Sequence, residues 1–80
     1  MSPLKRARHP MPGFVQTALR KRGLLGAYRL RPAYQRNDYL GWIMRAKLSG
    51  TRERRLHQML TELQLGGIYM GMTWNPAKKK

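Results

Sequence analysis

The sequence predicts an all-α fold: a compact bundle of three to four helices, then a short extended segment, with disordered basic tails at both ends. Three observations lead there. Leu56, Met59, Leu60 and Leu63 recur at i, i+3, i+4 and i+7, the spacing of one apolar helix face. Tyr39, Trp42, Ile43 and Ala46 share a second face upstream, with Leu40 and Met44 beside them. Gly23, Pro32, Gly50 and the Gly66-Gly67 pair punctuate the chain where the apolar stripes stop.

Taken in order, Phe14, Val15, Ala18 and Leu19 predict a helix over 13–22. Its last turn carries Arg20, Lys21 and Arg22, which suit the negative end of a helix dipole, and Gly23 follows as a natural C′ residue. Leu24, Leu25, Tyr28 and Leu30 form a second short apolar cluster, helical or irregular, which Pro32 limits. Pro32 suits the first turn of the next helix, where its missing N–H costs nothing. Asp38 lies nearer the start of that helix, and Arg45 and Lys47 near its end, as the dipole prefers. Gly41 costs about 1 kcal/mol relative to alanine and marks either a close helix–helix approach or simple tolerance. Ser49 and Gly50 are expected to end this helix. Thr51 is expected to cap the next, with Glu53 in its first turn and Leu65 at its end. Beyond it, Ile68, Met70, Met72 and Trp74 alternate with the period of a strand, yet no other segment reads as a partner strand. A lone strand leaves its backbone unsatisfied, so this segment is expected to lie across the helices in preference to pairing with another chain.

Residues 1–10 and 75–80 combine proline with Lys and Arg and read as disordered basic tails, leaving 11–74 as the folded domain. That length is near the lower limit for a self-sufficient core. The absence of cysteine excludes disulfides, thiol catalysis and cysteine metal sites, and it agrees with a reducing compartment. No apolar run reaches the roughly 18 residues that span a bilayer, and no apolar stretch follows the basic N-terminus as in a signal peptide. The chain is therefore expected in the cytoplasm. Seventeen Lys and Arg against three acids give a formal net charge of +14. Such a surface attracts nucleic acid, acidic proteins or anionic lipid; alternatively, a GC-rich genome inflates arginine without functional consequence.

The run Tyr39-Leu40-Gly41-Trp42-Ile43-Met44-Arg45-Ala46-Lys47, followed by Thr51-Arg52-Glu53-Arg54-Arg55-Leu56, resembles the signature of the YdeI/OmpD-associated (OmdA) domain, also called a bacteriocin-protection domain. That signature is an aromatic residue, then Trp-Ile, Ala-Lys, a three-residue gap, Thr-Arg and a second Arg. The resemblance extends more loosely from about Met11 to Trp74, which makes Met11 an alternative start. Larger family members carry a further domain ahead of this one; none is expected in this chain, and its role is not carried over. The resemblance implies a setting in bacterial stress and tolerance of antimicrobial peptides, with an outer-membrane porin as partner, and no defined molecular activity.

The same residues have a physical reading. Trp42 and Ile43 are expected to form the helix–helix core with Leu56 and Met59, and Lys47 to meet a helix C-terminus. Arg52 and Arg55 lie three apart and are neighbours on one helix face. With so few acids in the chain, they either anchor carbonyls or the Asp38 carboxylate, or join Arg54 and Lys47 in a site for an anion or a partner.

Catalysis is not expected. The carboxylates are Asp38, Glu53 and Glu62; His9 falls in a tail and His57 off the apolar stripe. No nucleophile, base and orienting group can be assembled from these, and two separated histidines make no metal site. A glycine-rich phosphate loop is also lacking, and no cofactor is expected. Nucleic-acid binding has more to support it. Arg52, Arg54 and Arg55, with Arg20, Lys21 and Arg22 and the tails, could neutralise phosphates along a groove. Tyr34, Tyr39, Tyr69 and Trp74 could stack bases where exposed, although Tyr39 falls on the predicted core face and no reader motif is present. Docking on anionic lipid is disfavoured, because the helices use their apolar faces for each other. Met70 and Met72 beside Tyr69 and Trp74 suit either an adaptable protein contact or core capping. The expected function is a non-enzymatic binding or scaffold module with a protein partner; the alternative is a sequence-independent nucleic-acid binder. Neither the partner nor the oligomeric state is specified by the sequence.

Overall fold

Proline opens two of the four helices among the described residues. In the computed structural model, which describes residues 9–75, the Pro12 carbonyl accepts the N–H groups of Val15 and Gln16 and starts α1, Gly13–Lys21. The helix stops as expected: Gly23 takes a φ of +67°, and the Leu24 N–H returns to the Leu19 carbonyl at 2.8 Å. The short apolar cluster after it is helical, forming α2, Leu25–Leu30. Arg31 is extended, as a residue before proline must be, and α3 then runs Ala33–Arg45. Pro32 stands just before the first turn, not in it, and its carbonyl accepts the N–H groups of Gln35 and Arg36.

The next boundary differs from expectation. Ser49 and Gly50 do not end α3 but begin α4, Ser49–Leu65, and Leu48 takes the capping position. Thr51 is therefore the third residue of the helix, and no side chain caps the start. The reason is a tether to α3. The Arg52 N–H donates to the Leu48 carbonyl at 3.0 Å, and the Arg52 guanidinium reaches back to the Ala46 carbonyl at 3.1 Å. Those bonds wind the chain into helix three residues early. At the other end α4 stops at Leu65 as predicted, on Gly66 at a φ of +83°.

A second correction concerns the extended segment. It does not lie as a single strand; it pairs with itself. β1, Ile68–Tyr69, and β2, Met72–Thr73, form an antiparallel hairpin with Ile68 opposite Thr73 and Tyr69 opposite Met72. The two linking residues, Met70 and Gly71, both have positive φ (51° and 79°), the pattern of a type I′ turn. The fold is thus mostly helical, with a small two-stranded sheet.

A third correction falls at the start. Residues 1–8 and 76–80 of the expected tails lie outside the described residues, but His9 does not. Its N–H donates to Asn37 Oδ1 at 2.8 Å, and its ring lies over Gly41, where a Cβ would stand 2.7 Å from Nε2. Gly41 therefore makes room for an imidazole, not for another helix.

The core gathers Val15 and Leu19 of α1, Leu24 and Tyr28 beside or within α2, Tyr39, Leu40 and Ile43 of α3, and Met59, Leu60 and Leu63 of α4. Phe14, read as part of the α1 apolar face, is largely exposed, whereas Trp42 and Leu56 pack at the edge of the core. α4 is the hub, in contact with α2, α3 and β1.

Candidate functional site

The signature residues build the corner between α3 and α4. A helix ends in carbonyls with no partner in the helix, and these must be met from elsewhere. Arg55 Nη1 donates to the Trp42 carbonyl at 2.6 Å, and its guanidinium lies 5.3 Å from the centre of the Trp42 ring. Arg52 Nη2 serves the Ala46 carbonyl. Cations also suit this negative end of the α3 dipole. Of the two roles open to Arg52 and Arg55, the geometry gives them the anchoring of carbonyls. Neither Asp38 nor an external anion is needed to account for their placement. Ala46 is buried, and Thr51 is half-buried within the first turn of α4. Arg54 and Lys47, grouped with these arginines in the sequence, point instead to solvent.

The two arginines are not equally well served. Arg52 Nε is buried with no hydrogen-bond partner among the described residues, a loss that offsets its bond to Ala46. Arg55 combines a short charge-assisted bond with a cation–π contact. Arg55→Ala is therefore expected to destabilise the protein by about 1–2 kcal/mol, and Arg52→Ala by less. Urea unfolding of both variants checks the order.

A polar centre that the periodicity did not reveal lies at the other end of α4. The Glu62 carboxylate is buried and accepts four hydrogen bonds. Tyr39 Oη donates to Oε1 at 2.5 Å and Gln58 Nε2 to Oε2 at 2.9 Å; the N–H groups of Met70 and Gly71 donate at 2.8 and 2.9 Å. The carboxylate thus holds the hairpin turn against the helices and satisfies both of its positive-φ residues. Burial pushes the Glu62 pKa up, but the bonds from Tyr39, Gln58, Gly71 and Met70 outweigh it and hold the carboxyl below its ordinary value. Burial first, and then the bond to Glu62, raises the Tyr39 hydroxyl well above the ordinary tyrosine value.

Arg31 is the second buried charge. Nη1 donates to Gln35 Oε1 and Nη2 to the Glu62 carbonyl, each at 3.0 Å, so both acceptors are uncharged oxygens. Trp74 covers the guanidinium, with its ring centre 4.6 Å away. Tyr69 completes the layer: it stands edge-on to Tyr34 and Tyr39 and donates its hydroxyl to Asp38 Oδ2 at 2.6 Å.

Two of the open clefts around this centre have a tryptophan in their walls. One, of about 380 Å³, lies on α3 between His9 and the hairpin, with Asp38, Trp42, Arg45 and Tyr69 on its walls. The other, of about 310 Å³, lies between α2 and α4 beneath Trp74. Among the described residues, no group of three or more His, Cys, Asp or Glu side chains could hold a metal ion, and no helix is long and apolar enough to cross a membrane.

The model of the family described as "Bacteriocin-protection, YdeI or OmpD-Associated" (OmdA) matches residues 9–66. The chain belongs to the OmdA family. Comparison with curated proteins and with solved structures found no match. The OmdA match spans all four helices, including His9 over Gly41 and the Arg55–Trp42 corner, and it ends at Gly66, before the hairpin. Within this OmdA domain the signature Tyr39, Trp42, Ile43, Leu56 and Met59 is a packing unit. Tyr39, Ile43 and Met59 are fully buried, while Trp42 and Leu56 rest against them.

Proposed function

We propose that the protein is a non-enzymatic binding module that presents a fixed cationic surface to an acidic protein partner. The observation that carries this reading is the excess of positive charge left at the surface. Arg20, Lys21, Arg22, Arg29, Arg45, Lys47 and Arg54 are exposed, whereas of the three acids Glu53 alone is exposed and Asp38 and Glu62 accept hydrogen bonds from tyrosine hydroxyls. A field of that kind favours encounter with acidic surfaces. Glu62 supports a structural role over a catalytic one, because all four of its bonds are to the protein's own groups. The family description adds a setting, protection against bacteriocins, in which such a module would work through its partner; a cytoplasmic location is part of the same proposal.

Nucleic acid is the second reading, and the net charge favours it. The aromatic side chains favour it less. Tyr39 is buried, Tyr69 is committed to Asp38 and its ring neighbours, and Trp74 lies over Arg31, so few faces are left for stacking bases. Competition between an acidic helical peptide and mixed-sequence DNA and RNA, across about 50 to 300 mM salt, separates the two. The expected result is peptide binding that persists at physiological salt and is not displaced by nucleic acid. Tighter binding to duplex, with log affinity falling at a slope near −5 (about six phosphates), would overturn the proposal.

A further inference from the structure

The cleft between α2 and α4 differs from the rest of the surface. Its walls are Ala27, Leu30, Leu63, Gly66 and Trp74, and Arg31 forms its floor. Leu30, the last residue of α2, is 84% exposed beside a half-buried tryptophan, more than any other large hydrophobic among the described residues. The floor carries a buried positive charge, and the Gln35 amide and Glu62 carbonyl oxygens that accept from Arg31 are neutral. The chain next to two of the wall residues is positive as well: exposed Arg29 precedes Leu30 on α2, and exposed Arg22 bonds Gln64, the neighbour of Leu63 on α4, at 3.1 Å. A volume of about 310 Å³ is at the low end for ligand pockets, which run from about 300 to 1,000 Å³, so it suits one or two bulky side chains.

Resting on the acidic-partner reading above, we infer that this cleft docks an acidic amphipathic helix of a partner protein. One bulky apolar side chain of that helix enters against Leu30, Leu63 and Trp74. Carboxylates one turn away meet Arg22 and Arg29 beside the cleft, in the i, i+3, i+4 manner of a helix seated in a groove. Charge complementarity selects this occupant over a second copy of the chain, whose own surface carries the same strong positive charge.

The test titrates the isotopically labelled full chain with two synthetic peptides of identical composition. One places Leu and Phe on one helix face and Glu on the other; the second scrambles them. The expected result is that the amphipathic peptide shifts the Trp74 indole N–H and the Ala27 and Gly66 amides, and binds about tenfold more tightly than the scrambled one. Leu30→Ser, an exposed substitution that leaves the circular dichroism unchanged, is expected to weaken it about tenfold. Equal affinity for both peptides, with no effect of Leu30→Ser, would overturn the docking site and leave the acidic-partner reading standing. Failure of both peptides to bind would overturn both readings.

Discussion

Glu62→Gln is expected to lower stability by about 2–4 kcal/mol and to free the hairpin from the helices. Each carboxylate oxygen accepts two donors: Oε1 takes Tyr39 and Met70, and Oε2 takes Gln58 and Gly71. A glutamine amide has one acceptor oxygen. Whichever way it is turned, its NH₂ group faces two donors, and the backbone N–H groups of a turn with two positive-φ residues lose their charged acceptor. Denaturant unfolding at neutral pH measures the loss, and hydrogen exchange at Met70 and Gly71 locates it. An unchanged midpoint with retained protection at both amides would refute this role. The pH dependence follows with a definite sign. The Glu62 pKa is lower in the folded chain than its ordinary 4.5, so its contribution is present above about pH 4.5 and is lost as pH falls through the folded value. Tyr39 works in the opposite sense. Its folded pKa is raised above 10.0, so its contribution is present below about pH 10 and is lost as pH rises through the folded value. The Gln variant is expected to flatten the acid limb of the stability curve.

The helices were largely legible because their signals are local. α1 ends on Gly23 and α4 on Gly66, positions where a positive φ favours glycine, and the α4 stripe buries Met59, Leu60 and Leu63 as its spacing requires. The α3–α4 boundary was not legible, because its cause is not local. Ser49 and Thr51 carry the chemistry of a cap, but α4 starts without one, since Arg52 and Arg55 tie its first turns to carbonyls six and thirteen residues upstream. The hairpin was hidden for a related reason. Asn-Gly or Asp-Gly would have announced a type I′ turn, whereas Met70 is a poor residue for positive φ and costs roughly 1–2 kcal/mol there. Glu62, eight residues away, supplies the compensating bond.

The site divides in the same way. The resemblance to the OmdA signature grouped Trp42 with Arg52 and Arg55, and the structure sets Arg55 on Trp42 and Arg52 on the Ala46 carbonyl; what the sequence left open was whether those arginines face inward or outward. Arg54 and Lys47 fit the outward reading, whereas Arg52 and Arg55 fit the inward one. Glu62 and Arg31 were missed because periodicity ranks positions by hydrophobicity and is silent on where a charge finds its partner. A usable signal did exist. Glu62 is one of three acids in a chain of net charge +14, and it flanks the apolar stripe of α4, one helical turn from Gln58.

Leu60→Ala is expected to cost about 2–5 kcal/mol, the range for emptying a buried leucine site in a core that relaxes only partly. Leu60 is 4% exposed, on the helix that touches α2, α3 and β1. A folded unit of this size has a total stability of roughly 3–10 kcal/mol at 0.05–0.15 kcal/mol per residue, and no disulfide supplements it. The substitution therefore removes a fifth or more of what holds the chain together, and thermal unfolding should move by about 8 degrees or more. Leu65→Ala, on the same helix but 66% exposed, is the control and should stay within about 0.5 kcal/mol. The pattern of loss separates this variant from Glu62→Gln. A cavity beneath α4 should weaken helices and hairpin together, because every layer leans on that helix, whereas the Gln variant should release the hairpin first. If Leu60→Ala instead melted the hairpin alone and left the protection of α1 and α3 intact, α4 would not be the hub of the core.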